Sequence, residues 1–216
     1  MSPATPTNGV PTNGVPTNIL RRNPVVLVHG IWNTEQIFYP LKAYLEQAGW
    51  CVHTFSMTPN NGDAPIEVLA EQVAQFVERT FEGDRNHKQT FDLIGFSMGG
   101  LVSRYYLQRL GGLASVRKFV AISTPHYGTA LALGSDRTGI RQMRPNSPFI
   151  IALNQDAYRL KDIQVSSLWT LFDLLILPPW SSKLQLGETR RLNVGSHNRM
   201  IRDLAGLEAI AQILKA

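Results

Sequence analysis

The stretch that decides the fold reads Phe91-Asp92-Leu93-Ile94-Gly95-Phe96-Ser97-Met98-Gly99-Gly100. Its first half is an apolar run typical of a buried strand, and the apolar residues from Leu101 to Leu110 recur at helical spacing. A Gly-x-Ser-x-Gly sequence between a strand and a helix predicts a sharp turn, or elbow, that lifts Ser97 above the ends of the strands. The flanking glycines lack the Cβ atoms that would collide as the chain reverses. No Gly-x-Gly-x-x-Gly sequence follows a strand, which disfavours a dinucleotide site.

The segments around the elbow predict strands that alternate with helices. Strands are predicted at 24–28, 50–55, 91–95, 116–122, 165–171 and 189–194, and helices at about 35–48, 63–81, 98–110 and 199–214. The first strand, Pro24-Val25-Val26-Leu27-Val28, is apolar throughout, as is typical of a strand buried on both faces of a parallel sheet. This alternation predicts an α/β fold of three layers, with a mostly parallel sheet of about six strands between helices.

The chain of 216 residues is long enough for one domain. Residues 1–22 contain a repeated Pro-Thr-Asn-Gly-Val unit, which predicts a disordered tail before a folded domain at 23–216. Residues 125–164 are too many for a plain connection between strands. They predict an irregular or partly helical cap above the sheet.

The composition restricts the kinds of partner. The net charge is +5, but there is no long Lys/Arg run or nucleic-acid motif, so a mildly basic surface is favoured over binding to nucleic acid. No apolar run approaches the roughly 18–20 residues of a membrane span. The sequence also does not open with a basic segment followed by an apolar one, the pattern of a secretory signal. Cys51 is the only cysteine, which precludes an intrachain disulfide. The predicted location is cytoplasmic, with peripheral contact to a membrane surface as an alternative.

A serine hydroxyl needs a base to act as a nucleophile at neutral pH. Where the serine lies on such an elbow, the acid and the histidine follow it in the chain. His197 follows the last predicted strand, in a loop that returns to the same edge of the sheet as the elbow. His197 is therefore the predicted base, with His126 as the alternative. Asp173 ends a strand-like segment between Ser97 and His197 and is the predicted acid, with Glu188 as its competitor.

Two backbone N–H groups are predicted to stabilise a developing oxyanion. Met98 follows the nucleophile, and Ile31 lies in the loop after the first strand, which reads His29-Gly30-Ile31-Trp32. His29 is expected to hold this loop by hydrogen bonds rather than to take part in the reaction.

Apolar residues near the two loops predict a hydrophobic pocket or mouth, although many of them are equally well explained as core. The candidates for substrate contact are Trp32, Phe38, Leu174, Ile176 and Trp180.

With these residues together, the chain resembles the small bacterial triacylglycerol lipases and esterases of the α/β-hydrolase superfamily. The similarity runs from about Pro24 to the C-terminus. It rests on the residues of 24–31, the elbow at 95–100, Asp173 and the Gly195-Ser196-His197 sequence. The segment Thr124-Pro125-His126-Tyr127-Gly128-Thr129 is similar to a Pro-His-x-Gly-Thr stretch of many lipases. One departure is Phe96, where many lipases carry a histidine.

The resemblance implies a minimal α/β-hydrolase fold and hydrolysis of acylglycerols or other lipid esters through an acyl-enzyme, with no cofactor and no metal. Two alternatives use the same three side chains: hydrolysis of an acyl-protein or acyl-CoA thioester, and acyl transfer between lipids. A third alternative is a non-catalytic, lipid-binding member of the superfamily. The sequence leaves the oligomeric state open.

Overall fold

The computed structural model describes residues 22–81 and 89–216. All but the last residue of the predicted tail, 1–22, lie outside this range. The described residues form six strands: β1 (Val25–Val28), β2 (Val52–Thr54), β3 (Phe91–Phe96), β4 (Val116–Ile122), β5 (Gln164–Trp169) and β6 (Glu188–Arg191). They also form six α-helices: α1 (Tyr39–Gln47), α2 (Ile66–Phe81), α3 (Met98–Arg109), α4 (Thr138–Gln142), α5 (Pro148–Gln155) and α6 (Leu204–Lys215).

The six strands make one sheet in the order β2-β1-β3-β4-β5-β6, and every neighbouring pair is parallel. Residues of β1 alternate between two apolar cores. Val26 and Val28 pack on the side of α2 and α3, whereas Val25 and Leu27 pack on the side of α1 and α6. The predicted fold class is therefore confirmed: a parallel sheet between two layers of helices.

The strand order places the site. β2 lies outside β1, whereas β4, β5 and β6 continue in the other direction from β3. The connections thus change direction between β1 and β3, and the carboxyl ends of the strands at such a switch point are where open α/β sheets bind ligands. The elbow follows β3 at this point.

Two predicted helices are divided in the structure. In the predicted helix at 35–48, a 3-10 helix at Glu35–Phe38 precedes α1, because Pro40 lies in the first turn of α1 and has no N–H to continue an α-helix from the preceding turn. In the predicted helix at 199–214, a 3-10 helix at Asn198–Ile201 precedes α6, because Asp203 has an extended backbone (φ −72°, ψ 146°). The last two strands end at Trp169 and Arg191, earlier than predicted.

Residues 125–164 form α4, α5 and two 3-10 helices, at Ala130–Gly134 and Ala157–Asp162. Part of this segment lies over the carboxyl end of β3, where its side chains share a cavity with Ser97. No helix of the described residues is both long and apolar enough to cross a membrane.

Candidate active site

Ser97 lies between β3 and α3 in a strained backbone conformation, with φ 56° and ψ −128°. A positive φ at a residue other than glycine costs on the order of 1–3 kcal/mol and persists only where the surrounding structure enforces it. Here the Ser97 N–H donates to the carbonyl of Ile122 at 2.8 Å, which ties the turn to the end of β4. The predicted elbow is thus present, and Ser97 is 8% exposed at its tip.

The elbow glycines are required by close contacts. A Cβ on Gly95 would lie 2.5 Å from the Cα of Gly100 across the turn. A Cβ on Gly99 would overlap the carbonyl oxygen of Val28 in β1, and one on Gly100 would overlap the side chain of Thr124 beyond β4. With a larger residue at any of these positions, the start of α3 could not pack this closely against β1, β3 and the segment after β4.

Asp173 and His197 form a buried pair. The Asp173 Oδ2 lies 2.7 Å from the His197 Nδ1, and both side chains are almost fully buried. The other carboxylate oxygen, Oδ1, accepts the backbone N–H groups of Leu175 and Ile176, each at 3.0 Å. Because a carboxylate accepts from Nδ1, the neutral imidazole carries its proton there and keeps a lone pair on Nε2.

The environment of Asp173 favours its charged form. Burial alone would raise the pKa of this carboxyl. The hydrogen bond and charge of His197, together with the N–H groups of Ile176 and Leu175, outweigh burial and hold the pKa of Asp173 below its usual value. The carboxylate therefore remains ionised at neutral pH and can stabilise a positive imidazole beside it.

Thr170, which no sequence pattern indicated as a site residue, joins the two loops that carry this pair. Its buried hydroxyl donates to the carbonyl of Val194 at 2.6 Å and accepts the N–H of Phe172 at 3.3 Å. The first loop leads to Asp173 and the second to His197, so one side chain fixes their separation. A threonine after a predicted strand gives no indication of a partner 24 residues away.

Phe96 packs against the imidazole of His197. The ring centroids of Phe96 and His197 are 4.7 Å apart, with the planes tilted by 43°. Phe38 lies behind Phe96 in an edge-to-face contact at 6.4 Å. Phe96, the departure noted in the elbow sequence, thus gives His197 an apolar surface that restrains the imidazole ring.

The loop after β1 passes directly beside the serine. A Cβ on Gly30 would lie 2.8 Å from the Cβ and 3.3 Å from the Oγ of Ser97. The His29 Nδ1–H donates to the Gly30 carbonyl at 2.8 Å, while His29 Nε2 accepts the N–H of Met57 at 2.9 Å. The Gly30 carbonyl and the Ile31 N–H share one planar peptide, so His29 also fixes the direction of that N–H.

The two predicted oxyanion donors are available. Among the described residues, neither the Ile31 N–H nor the Met98 N–H donates to a protein acceptor.

Burial lowers the pKa of His29, which keeps this histidine neutral in its role of holding the loop.

A cavity of about 290 Å³ opens beside Ser97 and His197. Two predicted substrate contacts, Trp32 and Ile176, line it. The other lining residues come from the loop after β1, from the segment 125–143 and from the loops of Asp173 and His197: Ile31, Asn33, Pro125, Thr129, Leu131, Ala132, Ile140, Met143, Leu175 and Asn198.

Three predicted substrate contacts lie elsewhere. Phe38 is fully buried in the core behind Phe96. Leu174 is 75% exposed and does not line the cavity, whereas Leu175 and Ile176, whose N–H groups donate to the Asp173 carboxylate, do line it. Trp180 is 58% exposed and lines a separate cavity.

The competing residues of the sequence analysis also lie apart from the cavity. His126 is fully buried, with its Nδ1 3.4 Å from a guanidinium nitrogen of Arg104. Glu188 is an exposed residue at the start of β6 and pairs with Arg190. Within 22–81 and 89–216, no cluster of three or more His, Cys, Asp or Glu side chains could hold a metal ion.

Residues 24–165, well over half of the chain, match the family described as palmitoyl protein thioesterase. The matched range contains Ile31 and Ser97 and ends before Asp173 and His197. The chain is 28% identical over 107 residues to palmitoyl-protein thioesterase 3 of Dictyostelium discoideum, a match that covers 49% of this chain and 36% of that protein. It is 30% identical over 131 residues to a triacylglycerol lipase of Pseudarthrobacter phenanthrenivorans, a match that covers 55% of this chain and 40% of the lipase.

The chain therefore spans well under two thirds of the length of these curated relatives. The mature form of the lipase BlEst2 from Bacillus licheniformis has a similar fold, with a TM-score of 0.74 and 14% identity over 94% of this chain and 96% of that one. The resemblance to lipases and esterases of the α/β-hydrolase fold is confirmed. Given the extent of the family match, the chain belongs to the palmitoyl protein thioesterase family.

Proposed function

We propose that the protein is a serine hydrolase that cleaves carboxylic esters of lipids, acylglycerols included, through an acyl-enzyme. Ser97 is the nucleophile, His197 the base and Asp173 the acid. The proposal rests on the arrangement of three side chains. A strained elbow serine shares a cavity with a histidine whose other ring nitrogen lies 2.7 Å from a buried carboxylate.

In the first half of the reaction, the Ser97 Oγ attacks the ester carbonyl carbon while the His197 Nε2 takes the hydroxyl proton. Negative charge develops on the carbonyl oxygen, where the N–H groups of Ile31 and Met98 stabilise it, assisted by the positive end of the α3 dipole. The carbon–oxygen bond of the ester then breaks. Protonated His197 gives its proton to the departing alcohol, and the acyl group remains on Ser97.

In the second half, water attacks the acyl carbon and His197 takes one of its protons. The same two N–H groups stabilise the second oxyanion. When the bond to Ser97 breaks, His197 returns the proton to the serine and the carboxylic acid leaves. Asp173 remains ionised throughout and stabilises the imidazolium each time it forms.

A second candidate reaction, thioester hydrolysis, is favoured by the family to which the chain belongs. The same steps apply, with a thiol as the leaving group. A thiol, with a pKa near 8.5, is a better leaving group than an alcohol and needs less help from His197 as an acid. A matched pair of substrates, an octanoyl ester and an octanoyl thioester, separates the two reactions by their kcat/KM values.

The lipid character of the substrate is supported by the apolar side chains at the mouth of the cavity. Trp32, Leu131 and Leu175 line the cavity and are also large exposed hydrophobic residues. Such a mouth suits an acyl chain or a lipid surface better than a polar ester. Peripheral contact with a membrane and a cytoplasmic location remain predictions.

The proposal is tested with purified full-length protein and p-nitrophenyl butyrate. We expect Ser97→Ala to lower kcat by at least about 10³-fold and to abolish covalent labelling by a fluorophosphonate. Ser103→Ala is the matched control, because the Ser103 hydroxyl lies buried in α3, the helix that follows Ser97, without a hydrogen-bond partner. A Ser97→Ala protein as active as the wild type would contradict the proposal. Acyl transfer to an added alcohol in place of acid release would instead indicate an acyltransferase.

A further inference from the structure

The cavity beside Ser97 has an exposed mouth and a closed inner end. Its mouth includes Trp32 and Leu131, which are 68% and 50% exposed. Its inner end is lined by Ala132, Ile140 and Met143, which are 3%, 5% and 6% exposed and belong to the core on the α2 and α3 side of the sheet. An acyl chain that extends inward from Ser97 therefore reaches an apolar floor formed by these three side chains.

Ile140 is held in place by two glycines. A Cβ on Gly62 would lie 2.6 Å from the Cγ1 of Ile140 and 2.9 Å from the Cδ1 of Ile31. The N–H of Gly139 donates to the carbonyl of Gly62 at 2.8 Å. The Ile140 side chain thus lies directly on the backbone at Gly62, with no gap into which it could withdraw.

Hydrogen bonds hold the rest of the floor from both sides. The Gln142 side chain accepts the N–H of Ile66 at 2.7 Å and donates to Glu67 at 2.6 Å, which joins α4 to the start of α2. On the other side, the N–H of Thr129 donates to the carbonyl of Met143 at 2.8 Å. These bonds hold the backbone on both sides of the floor, so the floor is part of the packed structure.

The cavity has a volume of about 290 Å³. This volume is just below the usual range of ligand pockets, about 300–1,000 Å³. A cavity of this size with a packed apolar floor favours shorter acyl chains over a palmitoyl group, with its sixteen carbons.

We propose that the site selects short and medium acyl chains over long ones, and that Ile140 and Met143 set this preference. The inference rests on the proposed hydrolase function of Ser97. The preferred acyl group would then be shorter than the palmitoyl group that gives the family its description.

The test is a chain-length series of p-nitrophenyl esters from acetate to palmitate, dispersed in a fixed amount of detergent. For the wild type, kcat/KM is highest between the butyrate and the decanoate and at least tenfold lower for the palmitate. Ile140→Ala and Met143→Ala each deepen the floor and raise the palmitate-to-octanoate ratio of kcat/KM by at least fivefold. Ala132→Val fills the floor and shifts the maximum to shorter chains.

Ile150→Ala is the matched control. Ile150 is buried in the same core and loses the same atoms as Ile140, but it does not line the cavity. Its palmitate-to-octanoate ratio should equal that of the wild type. Alkyl fluorophosphonates with four-, eight- and sixteen-carbon tails provide a second measurement, since their rates of reaction with Ser97 report the same preference without turnover.

Two results overturn the inference while the hydrolase proposal survives: a wild-type maximum at the palmitate, or the same ratio for Ile140→Ala and Met143→Ala as for Ile150→Ala. A protein that cleaves none of the esters and is not labelled at Ser97 overturns the hydrolase proposal itself, and the chain-length preference with it.

Discussion

Asp173 uses both of its carboxylate oxygens. One faces the Nδ1 of His197, and the other accepts the N–H groups of Leu175 and Ile176. The same side chain therefore orients the imidazole and shapes the turn that directs Ile176 into the cavity. The orientation of His197 and part of the cavity wall thus depend on one residue, although the neighbouring Leu174 does not line the cavity.

Replacement of Asp173 by asparagine separates these two tasks. The amide oxygen of Asp173→Asn can still accept from Leu175 and Ile176, so the turn is kept. The amide NH₂ then faces the His197 Nδ1 and forces the imidazole proton onto Nε2, where no lone pair remains to take the serine proton. We expect kcat to fall about 10³–10⁴-fold with little change in KM.

The measurement is steady-state hydrolysis of p-nitrophenyl octanoate, with thermal unfolding to establish that the variant is folded. Glu188→Gln is the control and should retain wild-type kinetics, because Glu188 is exposed and pairs with Arg190. A rate within tenfold of the wild type would assign the acid to another residue.

At the scale of elements, the strands and the elbow were predictable because their signals are local. Apolar runs mark β1 and β3, and the elbow glycines stand beside Ser97 in the sequence. The division of the predicted helix at 35–48 also has a local cause, Pro40. Local patterns failed for Phe38, because an apolar residue beside a loop is equally compatible with a pocket wall and with the core.

The floor of the cavity was not predictable in this way. Ala132, Ile140 and Met143 come from a segment without a regular pattern, and Ile140 is positioned by Gly62, far away in the sequence. Thr170 is similar, since its role depends on a carbonyl in another loop. Such contacts follow from the packing of whole elements against each other.

The start of α3 supplies an element-scale prediction. Gly99→Ala would place a methyl group on the carbonyl oxygens of Val28 and His29 in and after β1, and backbone atoms cannot move aside as a flexible side chain can. The helix must shift away from the sheet and carry Ser97 with it. We expect a loss of about 1–3 kcal/mol in the free energy of unfolding, together with a fall in kcat.

Chemical denaturation and ester hydrolysis measure the two effects. Gly134→Ala is the matched control, since nothing lies within 4 Å of a Cβ at that position. If Gly99→Ala is as stable and as active as Gly134→Ala, the close packing of α3 on β1 has no part in positioning the nucleophile.

At the scale of the whole molecule, buried histidines link stability to pH. Burial, with the positive charge of Arg104, holds the pKa of His126 well below 6.5. Burial also lowers the pKa of His29. In the unfolded chain both imidazoles titrate near their ordinary value, so below about pH 6.5 the unfolded state binds protons that the folded state does not. The free energy of unfolding must then fall as the pH drops below that value.

His126→Asn isolates one of these protons. The asparagine oxygen can replace Nδ1 as the neighbour of the Arg104 guanidinium, which lies 3.4 Å from that nitrogen. With one titrating imidazole fewer, the free energy of unfolding should decline less steeply between pH 6.5 and 5, by up to about 1.4 kcal/mol per pH unit relative to the wild type. Above about pH 7 the two curves should run parallel, whatever their offset.

Urea denaturation at half-unit steps from pH 5 to 8 measures both slopes. Parallel curves over the whole range would mean that folded His126 takes up a proton as readily as the unfolded chain does.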